Sequence, residues 1–550
     1  MRGSVFVGAT LALLALVVAR VAGQSFGYST SSDGKKWVVN TGKGLAVTMV
    51  RSSCDIVSLK YNNQELQYKK KYTHVNSGLG SVSSTIASPS VDATKTIQIT
   101  CSKTGLTQFY VFRANENAIY LGTYHTTALA LGELRFLARL DRTTVKSGIP
   151  EATLDDTNRA IEATDVYATA KNLTRSKFFS AVPFKDDAIH GVYGPKAGVY
   201  FVMSDRAYET SIGGPFFKDI NNQCTTANEL SFYMNSDHTR TEEYRYGFHG
   251  PYALVFTDGG AAPTSTAVVN FTVFQKLQLQ GFVPDSQRGR VQGTIADEKK
   301  LLATSNVVVG FKNADAQYWT QIAAGAKLSF QSPLMKPGQY TLTVYKKQLA
   351  VGAATVVVSA AKTTTADVTV VNPHEKTPLW SVGEWDGTPD GFLNANKIHK
   401  IHKMHPSDAR MAPFKPMTFT VGKSAVGEFP LALFRGVNDH VVMSFELTSQ
   451  QAAQGRTFQI GVTLAKNNAR PTIRVNDKWS GPILATYAAK SRGDTRGVTT
   501  GNYFLYSYTI PASALVAGTN KIALGIASGN TDGPEPFLHA SVVFDAFELL

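Results

Sequence analysis

The sequence has 550 residues, too many for a single hydrophobic core, and its three cysteines are too few for a disulfide-rich scaffold. Lys and Arg outnumber Asp and Glu by 55 to 41, which gives a formal net charge of +14 at pH 7. Such a charge favours an acidic partner. No basic helix or RNA-binding motif accompanies it, so we expect an acidic polysaccharide and no nucleic acid, with solubility alone as the alternative explanation.

The N-terminus predicts a signal peptide at residues 1–23. A positively charged MRGS precedes the apolar run VFVGATLALLALVVA, and small residues in RVAG follow it, with cleavage expected after Gly23. The apolar run is shorter than the roughly 20 residues of a membrane span. We therefore expect a secreted, extracellular protein without a membrane anchor, whose mature chain has 527 residues (550 − 23).

The mature chain predicts an all-β protein. Short runs rich in Val, Thr, Tyr and Phe, such as AVTMVRSSCDIVSLKY, alternate with clusters of Gly, Asn and Asp, as is typical of β-sandwiches. Composition divides the chain into three segments. Residues 24–280 are dense in aromatic and basic residues, residues 281–373 have the size of an immunoglobulin-like module, and residues 374–550 fit a jelly roll. We expect a monomer.

Cysteines and sequons agree with an oxidising, extracellular setting. Cys54 and Cys101 lie in strand-like runs of the first segment and can pair there, which leaves the state of Cys224 open. Asn172 and Asn270 begin the sequons NLT and NFT and are candidate glycosylation sites.

The third segment carries the candidate metal ligands. His399, His402 and His405 recur every three residues, but the lysines between them disfavour a bound cation. A structural calcium ion is the more favourable alternative for a jelly roll, and Asp545 in VVFDAFEL is a candidate ligand.

The candidate catalytic residues of the first segment are basic and aromatic. There is no Gly-x-Ser-x-Gly motif, and the adjacent pairs Glu242-Glu243 and Asp186-Asp187 would point to opposite faces of a strand. What remains is Arg135 in GELRF, Lys177 in TRSKF and the segment TEEYRYGFHGPY, which holds Tyr244 and His249. Taken singly, each of these residues also has a structural explanation.

These residue types suit β-elimination at a uronic acid. A base removes the proton at C5, a guanidinium neutralises the adjacent carboxylate, and an acid protonates the leaving O4. Histidine is a base near neutrality, and lysine becomes a donor if a neighbouring cation such as Arg175 lowers its pKa. Arginine stays charged and binds a carboxylate with two hydrogen bonds.

A series of sequence pieces spans nearly the whole mature chain: RSSCDIVSLKYNNQELQY, GELRFLARL, TRSKFFSA, GGPFFKDIN, YMNSDH, TEEYRYGFHGPY, AQYWT, MKPGQYTLTVY, GEWDGTPDGF and MHPSDARM. In this order they resemble the fungal-type rhamnogalacturonan lyases of polysaccharide lyase family 4. The resemblance implies a catalytic, galactose-mutarotase-like β-sandwich, a fibronectin-III-like module and a carbohydrate-binding-like jelly roll. It implies cleavage of the α-1,4 bond between rhamnose and galacturonic acid in rhamnogalacturonan I, without a cofactor for the chemistry.

The resemblance also assigns roles to residues. It makes Lys177 and His249 catalytic, with the order of acid and base open, and matches Arg135 and Tyr244 to substrate-binding positions. We interpret His249 as the floor of a sugar cleft, held there by Gly247 and a turn at Gly250-Pro251, with Tyr244 and Tyr246 as its walls. The resemblance also matches Cys54 and Cys101 to a family disulfide.

Three alternatives stay open from the sequence. A pectin-binding lectin on the same scaffold would keep the tyrosines and the charge but would need neither Lys177 nor His249. A hydrolase would add water and would leave no double bond. A mutarotase-like enzyme for small sugars would not require two appended modules.

Overall fold

The computed structural model describes residues 25–127, 132–148, 154–162, 164–179, 182–236, 240, 242–260, 262–374, 376–398, 405–485, 497–501, 503–527 and 540–550. The predicted signal peptide and two of the candidate metal ligands, His399 and His402, lie outside these ranges. Within them, no helix combines the length and the apolar character needed to cross a membrane.

The all-β prediction is confirmed, and the first segment is a sandwich of antiparallel sheets. A seven-stranded sheet has the order β16-β17-β20-β10-β9-β8-β7, and a five-stranded sheet has the order β15-β18-β19-β11-β6. A second five-stranded sheet, β1 to β5, and the small sheet β12-β13-β14 flank them. The strands are β1 Gly27–Thr30, β2 Lys36–Asn40, β3 Leu45–Val50, β4 Ile56–Tyr61, β5 Gln64–Glu65, β6 His74–Val75, β7 Ser83–Ala87, β8 Thr96–Lys103, β9 Leu106–Arg113, β10 Ala118–His125, β11 Leu134–Leu140, β12 Thr157–Glu162, β13 Val166–Thr169, β14 Thr174–Ser176, β15 Phe178–Phe179, β16 Ile189–Tyr193, β17 Gly198–Met203, β18 Asn222–Cys224, β19 Asn228–Asn235 and β20 Gly247–Thr257.

The pairing of β11 with β19 separates core residues from polar ones. Because side chains alternate along a strand, Phe136 and Phe232 point into the sandwich, where both pack against Tyr252 of the seven-stranded sheet. The other face of the two strands carries Arg135, Arg139, Glu229 and Tyr233, and we call it the outer face.

The seven-stranded sheet is buried on both sides. Its inner face contributes to the main core, and its other face packs Phe109, Phe248 and Val255 against Phe274. Phe274 belongs to the 3₁₀ segment Phe271–Lys276. Strand β20 is therefore buried along nearly its whole length, whatever the polarity of its side chains.

The second and third segments are also β-sandwiches. The second pairs the sheet β23-β22-β25-β26 with a smaller sheet around β21, and the third stacks two five-stranded sheets, β29-β38-β33-β36 with β31, and β30-β32-β37-β34-β35. The second contains β21 Arg290–Ala296, β22 Val307–Lys312, β23 Gln317–Ile322, β24 Ser329–Gln331, β25 Gly338–Lys346, β26 Leu349–Val358, β27 Thr363–Thr365 and β28 Val368–Thr369. The third contains β29 Trp380–Gly383, β30 Met417–Thr420, β31 Ala432–Phe434, β32 Val441–Leu447, β33 Arg456–Lys466, β34 Arg470–Val475, β35 Trp479–Ser480, β36 Phe504–Ile510, β37 Gly518–Ala527 and β38 Ser541–Leu549, with the short helices α1 Ala395–Ile398 and α2 Ser449–Ala452.

The cysteines and sequons take clear positions in the fold. Cys54 and Cys101 form a disulfide that joins the loop before β4 to β8, which confirms the predicted pair. Cys224 is a buried free thiol. Asn172 and Asn270 are both exposed, and their glycosylation stays a prediction.

A buried ion pair joins the first two segments. Glu209 accepts hydrogen bonds from Arg288 Nη1 at 2.8 Å and from the Tyr318 hydroxyl at 2.7 Å, and Lys336 Nζ lies 3.2 Å from it. Burial alone would raise the pKa of Glu209, but Lys336 and Arg288 outweigh it and lower the pKa to about 2.

We expect Arg288→Met to destabilise the protein by about 3 kcal/mol, because it leaves the Glu209 carboxylate buried with fewer partners. Urea denaturation at neutral pH measures the effect. Arg290→Met is the matched control, since the Arg290 side chain donates to an uncharged acceptor, the Ser332 carbonyl, at 2.8 Å. Equal loss in both variants would show that the Glu209 pair contributes nothing of its own.

Candidate functional site

Arg135 lies on the outer face beside Tyr233. Its Nη1 donates to the Tyr233 hydroxyl at 2.5 Å and lies 2.8 Å from Glu133 Oε2, and 19% of the side chain is exposed. Burial disfavours the guanidinium charge, but Tyr233 and Glu133 outweigh this effect and raise the pKa of Arg135. The backbone is held by Asn76, whose Oδ1 accepts the Arg135 N–H at 2.9 Å. The site thus holds a fixed, partly accessible cation.

A second charged group occupies the other end of the same two strands. Arg139 lies 3.4 Å from Glu229 Oε1 and 2.5 Å from His74 Nε2, and His74 Nδ1 lies 2.7 Å from Asp55 Oδ1. These contacts hold Arg139 in place from β19, β6 and the loop before β4. The outer face therefore carries a buried charged cluster at this end and the partly exposed Arg135 at the other.

Lys177 lies where the small sheet β12-β13-β14 meets the edge strand β15. Its Nζ is 2.7 Å from Asp165 Oδ1, whereas Arg175 is paired with Asp156 at 2.8 Å. The expected influence of Arg175 on Lys177 therefore finds no support in this arrangement, since each cation has its own carboxylate.

The sheet register separates Lys177 from Arg135. The Lys177 carbonyl accepts the Cys224 N–H at 3.1 Å, and Cys224 is in register with Asn228 and Leu140. Lys177 is thus three strand spacings across the sheet and five residues along the strand from Arg135. Standard sheet spacings convert this into a Cα separation of about 20 Å. The two residues are therefore not in contact.

His249 does not form the floor of a cleft, and that part of the interpretation is wrong. GFHGPY is not a turn but the start of β20, and His249 pairs with Thr123 of β10 on the inner face of the sheet. Its side chain is 0% exposed. The ring of Phe248 lies so close to Gly122 that a Cβ there would meet it at 2.3 Å, so the two strands fit only with glycine at that position.

His249 instead forms a buried pair with His125. Their Nε2 atoms are 2.8 Å apart, so one ring donates the hydrogen bond and the other accepts it. Burial, and for His249 also the neighbouring His125, lowers both pKa values, that of His249 well below its usual range. Among the described residues, His249 Nδ1 has no hydrogen-bond partner.

Two tyrosines connect this pair to the surface. Tyr246 is 43% exposed and its ring lies edge-on to His125, with centroids 5.3 Å apart. The Tyr244 hydroxyl donates to the Gly132 carbonyl at 2.5 Å, three residues before Arg135. The ends of β10, β11, β19 and β20 therefore bring Arg135, Tyr244 and the histidine pair to one end of the sandwich.

Comparison with known proteins identifies this architecture. Residues 26–281 match the family profile "Rhamnogalacturonan lyase B, N-terminal", and residues 287–366 and 378–549 match "Polysaccharide lyase family 4", domains II and III. The chain belongs to polysaccharide lyase family 4. The resemblance seen in the sequence pieces is confirmed, as are the fibronectin-III-like and carbohydrate-binding-like modules.

Curated relatives of family 4 cover nearly the whole chain. Rhamnogalacturonate lyase A of Aspergillus aculeatus is 38% identical over 98% of this chain and 99% of its own. "Probable rhamnogalacturonate lyase A" of Aspergillus fumigatus is 40% identical over 98% of this chain and 99% of its own, and that of Aspergillus terreus is 40% identical over 93% of each. The similarity extends through all three segments.

The sequence analysis did not name Tyr233, the partner of Arg135. It could have been found from NELSFYMN, where Glu229, Ser231 and Tyr233 recur at every second position as on one strand face.

The candidate calcium ligand does not fit a cation. Asp545 Oδ1 accepts the Gly387 N–H at 2.9 Å, and burial raises the pKa of Asp545 to about 7. The nearby carboxylates also have protein partners: Asp386 pairs with Lys347 at 2.6 Å, and Glu548 Oε1 lies 2.8 Å from His374 Nδ1. A structural calcium ion in this module stays a prediction that these residues do not favour.

His405, the one member of the series His399, His402 and His405 within the described residues, also shows no feature of a metal site. His405 is buried, its Nδ1 lies 2.7 Å from Ser407 Oγ, and burial lowers its pKa to about 3. Within the described ranges, no group of three or more His, Cys, Asp or Glu side chains is arranged to hold a metal ion.

The histidine pair predicts a pH dependence of stability. Because the pKa values of His125 and His249 are lowered by folding, the unfolded chain binds more protons below about pH 6.5, so stability falls as the pH drops through that value. We expect His249→Gln to flatten the fall in Tm between about pH 7 and pH 5.

Differential scanning calorimetry across this pH range measures the effect. His440→Gln, which changes an exposed histidine of the third segment, is the control and should keep the wild-type profile. A His249→Gln profile parallel to wild type would contradict the assignment of a neutral buried pair.

Proposed function

We propose that the protein is a secreted endolyase that cleaves the α-1,4 bond between rhamnose and galacturonic acid in the rhamnogalacturonan I backbone of pectin. The reaction is a β-elimination that leaves a 4,5-unsaturated galacturonate. The observation that carries the proposal is the full-length similarity to rhamnogalacturonate lyases, joined to a charged outer face on which Arg135 stays protonated and partly accessible.

Arg135 has the properties needed at the uronate carboxylate. Its guanidinium is preorganised by Tyr233, and its ion pair with Glu133 is at a partly exposed position. A substrate carboxylate can replace Glu133 there and keep the charge balanced. In the transition state, negative charge spreads from C5 into this carboxylate, and a fixed cation stabilises that charge without reorganising.

Proton transfer requires groups that reach the sugar. Lys177 is partly exposed, and we assign it one of the two proton transfers at C5 and O4. Because its Cα lies about 20 Å from that of Arg135, both side chains have to extend toward a sugar bound between them. Full burial excludes direct contact between His249 and a sugar in this conformation, so we assign it to positioning, through His125 and Tyr246. Tyr244, hydrogen-bonded to the loop before Arg135, holds the same end of the site.

A second imidazole deserves a test. His238 lies outside the described residues, but in YMNSDH it follows Tyr233 by only five positions along the chain. The other histidines of the first segment are committed to protein partners: His74 to Asp55, His190 to Asp187 and His125 to His249. His238 is therefore our alternative to His249 for the second proton transfer.

Ultraviolet absorbance with rhamnogalacturonan I, and separately with homogalacturonan, tests the reaction in the presence of a chelator. We expect a rise on the first substrate only. Arg135→Ala and Lys177→Ala should lower kcat/KM by about 100-fold or more, because each removes a group that acts in the transition state. Lys60→Ala, an exposed lysine of β4, is the control.

The kinetics of two variants distinguish His238 from His249 as the catalytic imidazole. A catalytic His238 predicts a loss of about 100-fold or more for His238→Ala and a smaller loss, coupled to lower Tm, for His249→Gln. The reverse order would restore His249 as the catalytic imidazole. New reducing ends without absorbance would mean hydrolysis, and retention on a pectin column with neither signal would mean a lectin.

A further inference from the structure

The loop YKKKY, residues 68–72, is the most concentrated run of positive charge beside the outer face. Lys69, Lys70 and Lys71 are exposed, and Tyr72 is 41% exposed. Lys69 and Lys70 form no salt bridge with any described residue. The proposed chemistry at Arg135 and Lys177 uses none of these side chains.

Buried side chains hold the backbone of this loop. Gln67 is 1% exposed, and its Nε2 donates to the carbonyls of Lys71 at 2.8 Å and Tyr68 at 3.2 Å, and to that of Arg139 at 2.9 Å. Arg139 Nη1 in turn donates to the Tyr72 carbonyl at 2.9 Å. The loop is therefore fixed in shape from below while its lysines face solvent, and such preorganisation lowers the entropy cost of binding.

The sheet register places the loop in one row with Lys177. Gln67 bridges to Leu140, which pairs with Asn228, which pairs with Cys224, whose N–H bonds to the Lys177 carbonyl. Four strand spacings separate the two ends of the row, about 19 Å. Lys71 Nζ lies 3.9 Å from Glu229, so the loop reaches over the outer face between them.

We propose that the loop 68–72 is a remote subsite for a galacturonate unit of the same polymer, several sugars from the bond that is cleaved. Lys69, Lys70 and Lys71 bind its carboxylate, and the exposed ring of Tyr72 packs on a sugar face. The subsite depends on the proposed function for the identity of the polymer. It does not depend on the reaction by which that polymer is cleaved.

The energetics of exposed lysines define what this subsite does. Each exposed ion pair contributes at most about 1 kcal/mol, and it contributes equally before and during the reaction. The subsite therefore lowers KM for polymer and leaves kcat unchanged. Its contribution weakens as salt screens the charges.

A triple variant of the loop, Lys69→Gln, Lys70→Gln and Lys71→Gln, tests the subsite. The control removes the same charge from exposed positions of the second segment and consists of Lys300→Gln, Lys327→Gln and Lys362→Gln. We expect the loop variant to raise KM on rhamnogalacturonan I about tenfold, with kcat within about twofold of wild type and a shallower dependence of KM on salt. Oligosaccharides too short to span the row should show no change. Tyr72→Ala should raise KM in the same substrate-length-dependent way.

An unchanged KM for the loop variant, or an equal increase for the control, would overturn the subsite. A fall in kcat with unchanged KM would also overturn it, because the loop would then serve the structure of the site. Retention on immobilised rhamnogalacturonan I, measured without turnover, separates the two proposals. If wild type yields no unsaturated product but only the loop variant loses retention, the subsite stands and the lyase reaction fails.

Discussion

The register between β11 and β19 is the constraint on which the site depends. At every pair, one side chain position faces the aromatic core and the next faces outward, so Phe136 and Phe232 fix the sheet against Tyr252 while Arg135 and Tyr233 meet on the other side. A slip of one residue would bring Arg135 and Arg139 into the core and expose the phenylalanines. The packing energy of the core therefore also fixes the positions of the charges.

The charged side chains form ion pairs in which a substrate carboxylate can replace the carboxylate of the protein. Arg135 is bound to Glu133, Lys177 to Asp165, and Arg139 to Glu229, so each of these cations is balanced by a carboxylate of the protein. Partly exposed ion pairs such as the first two contribute about 1 kcal/mol or less, and replacing a protein carboxylate by a uronate costs little. A neutral polymer would gain nothing from the exchange, so these pairs favour an acidic polymer.

The sequence was sufficient for the all-β class, because alternation and turn residues are local signals. Composition together with the family resemblance was sufficient for the three modules and the disulfide. The sequence was insufficient for His249. Glycine and proline in GFHGPY indicate a turn, but pairing with β10 and the fit of Phe248 over Gly122 keep the segment in a buried strand. Which face a strand residue occupies depends on partners more than 100 positions away, such as Thr123 for His249. The same reasoning explains why Arg135 was named without its partner: NELSFYMN places Tyr233 on a polar strand face, but only the pairing of β19 with β11 brings it to Arg135.

The appended modules hold the two segments that carry the site. Arg245, between Tyr244 and Tyr246, is buried and donates to the Asn313 carbonyl of the second module at 3.0 Å. In the third module, Asp408 Oδ2 accepts hydrogen bonds from the N–H and the hydroxyl of Thr174, at 2.7 Å and 2.8 Å, three residues before Lys177. The Thr174 contacts are buried and the Arg245 contact is part-buried, so water competes little for them and each restrains its segment more than an exposed bond would. The modules thus act on the geometry of the outer face as well as enlarging the surface, because the segments around Lys177 and Tyr244 are each attached to a different module.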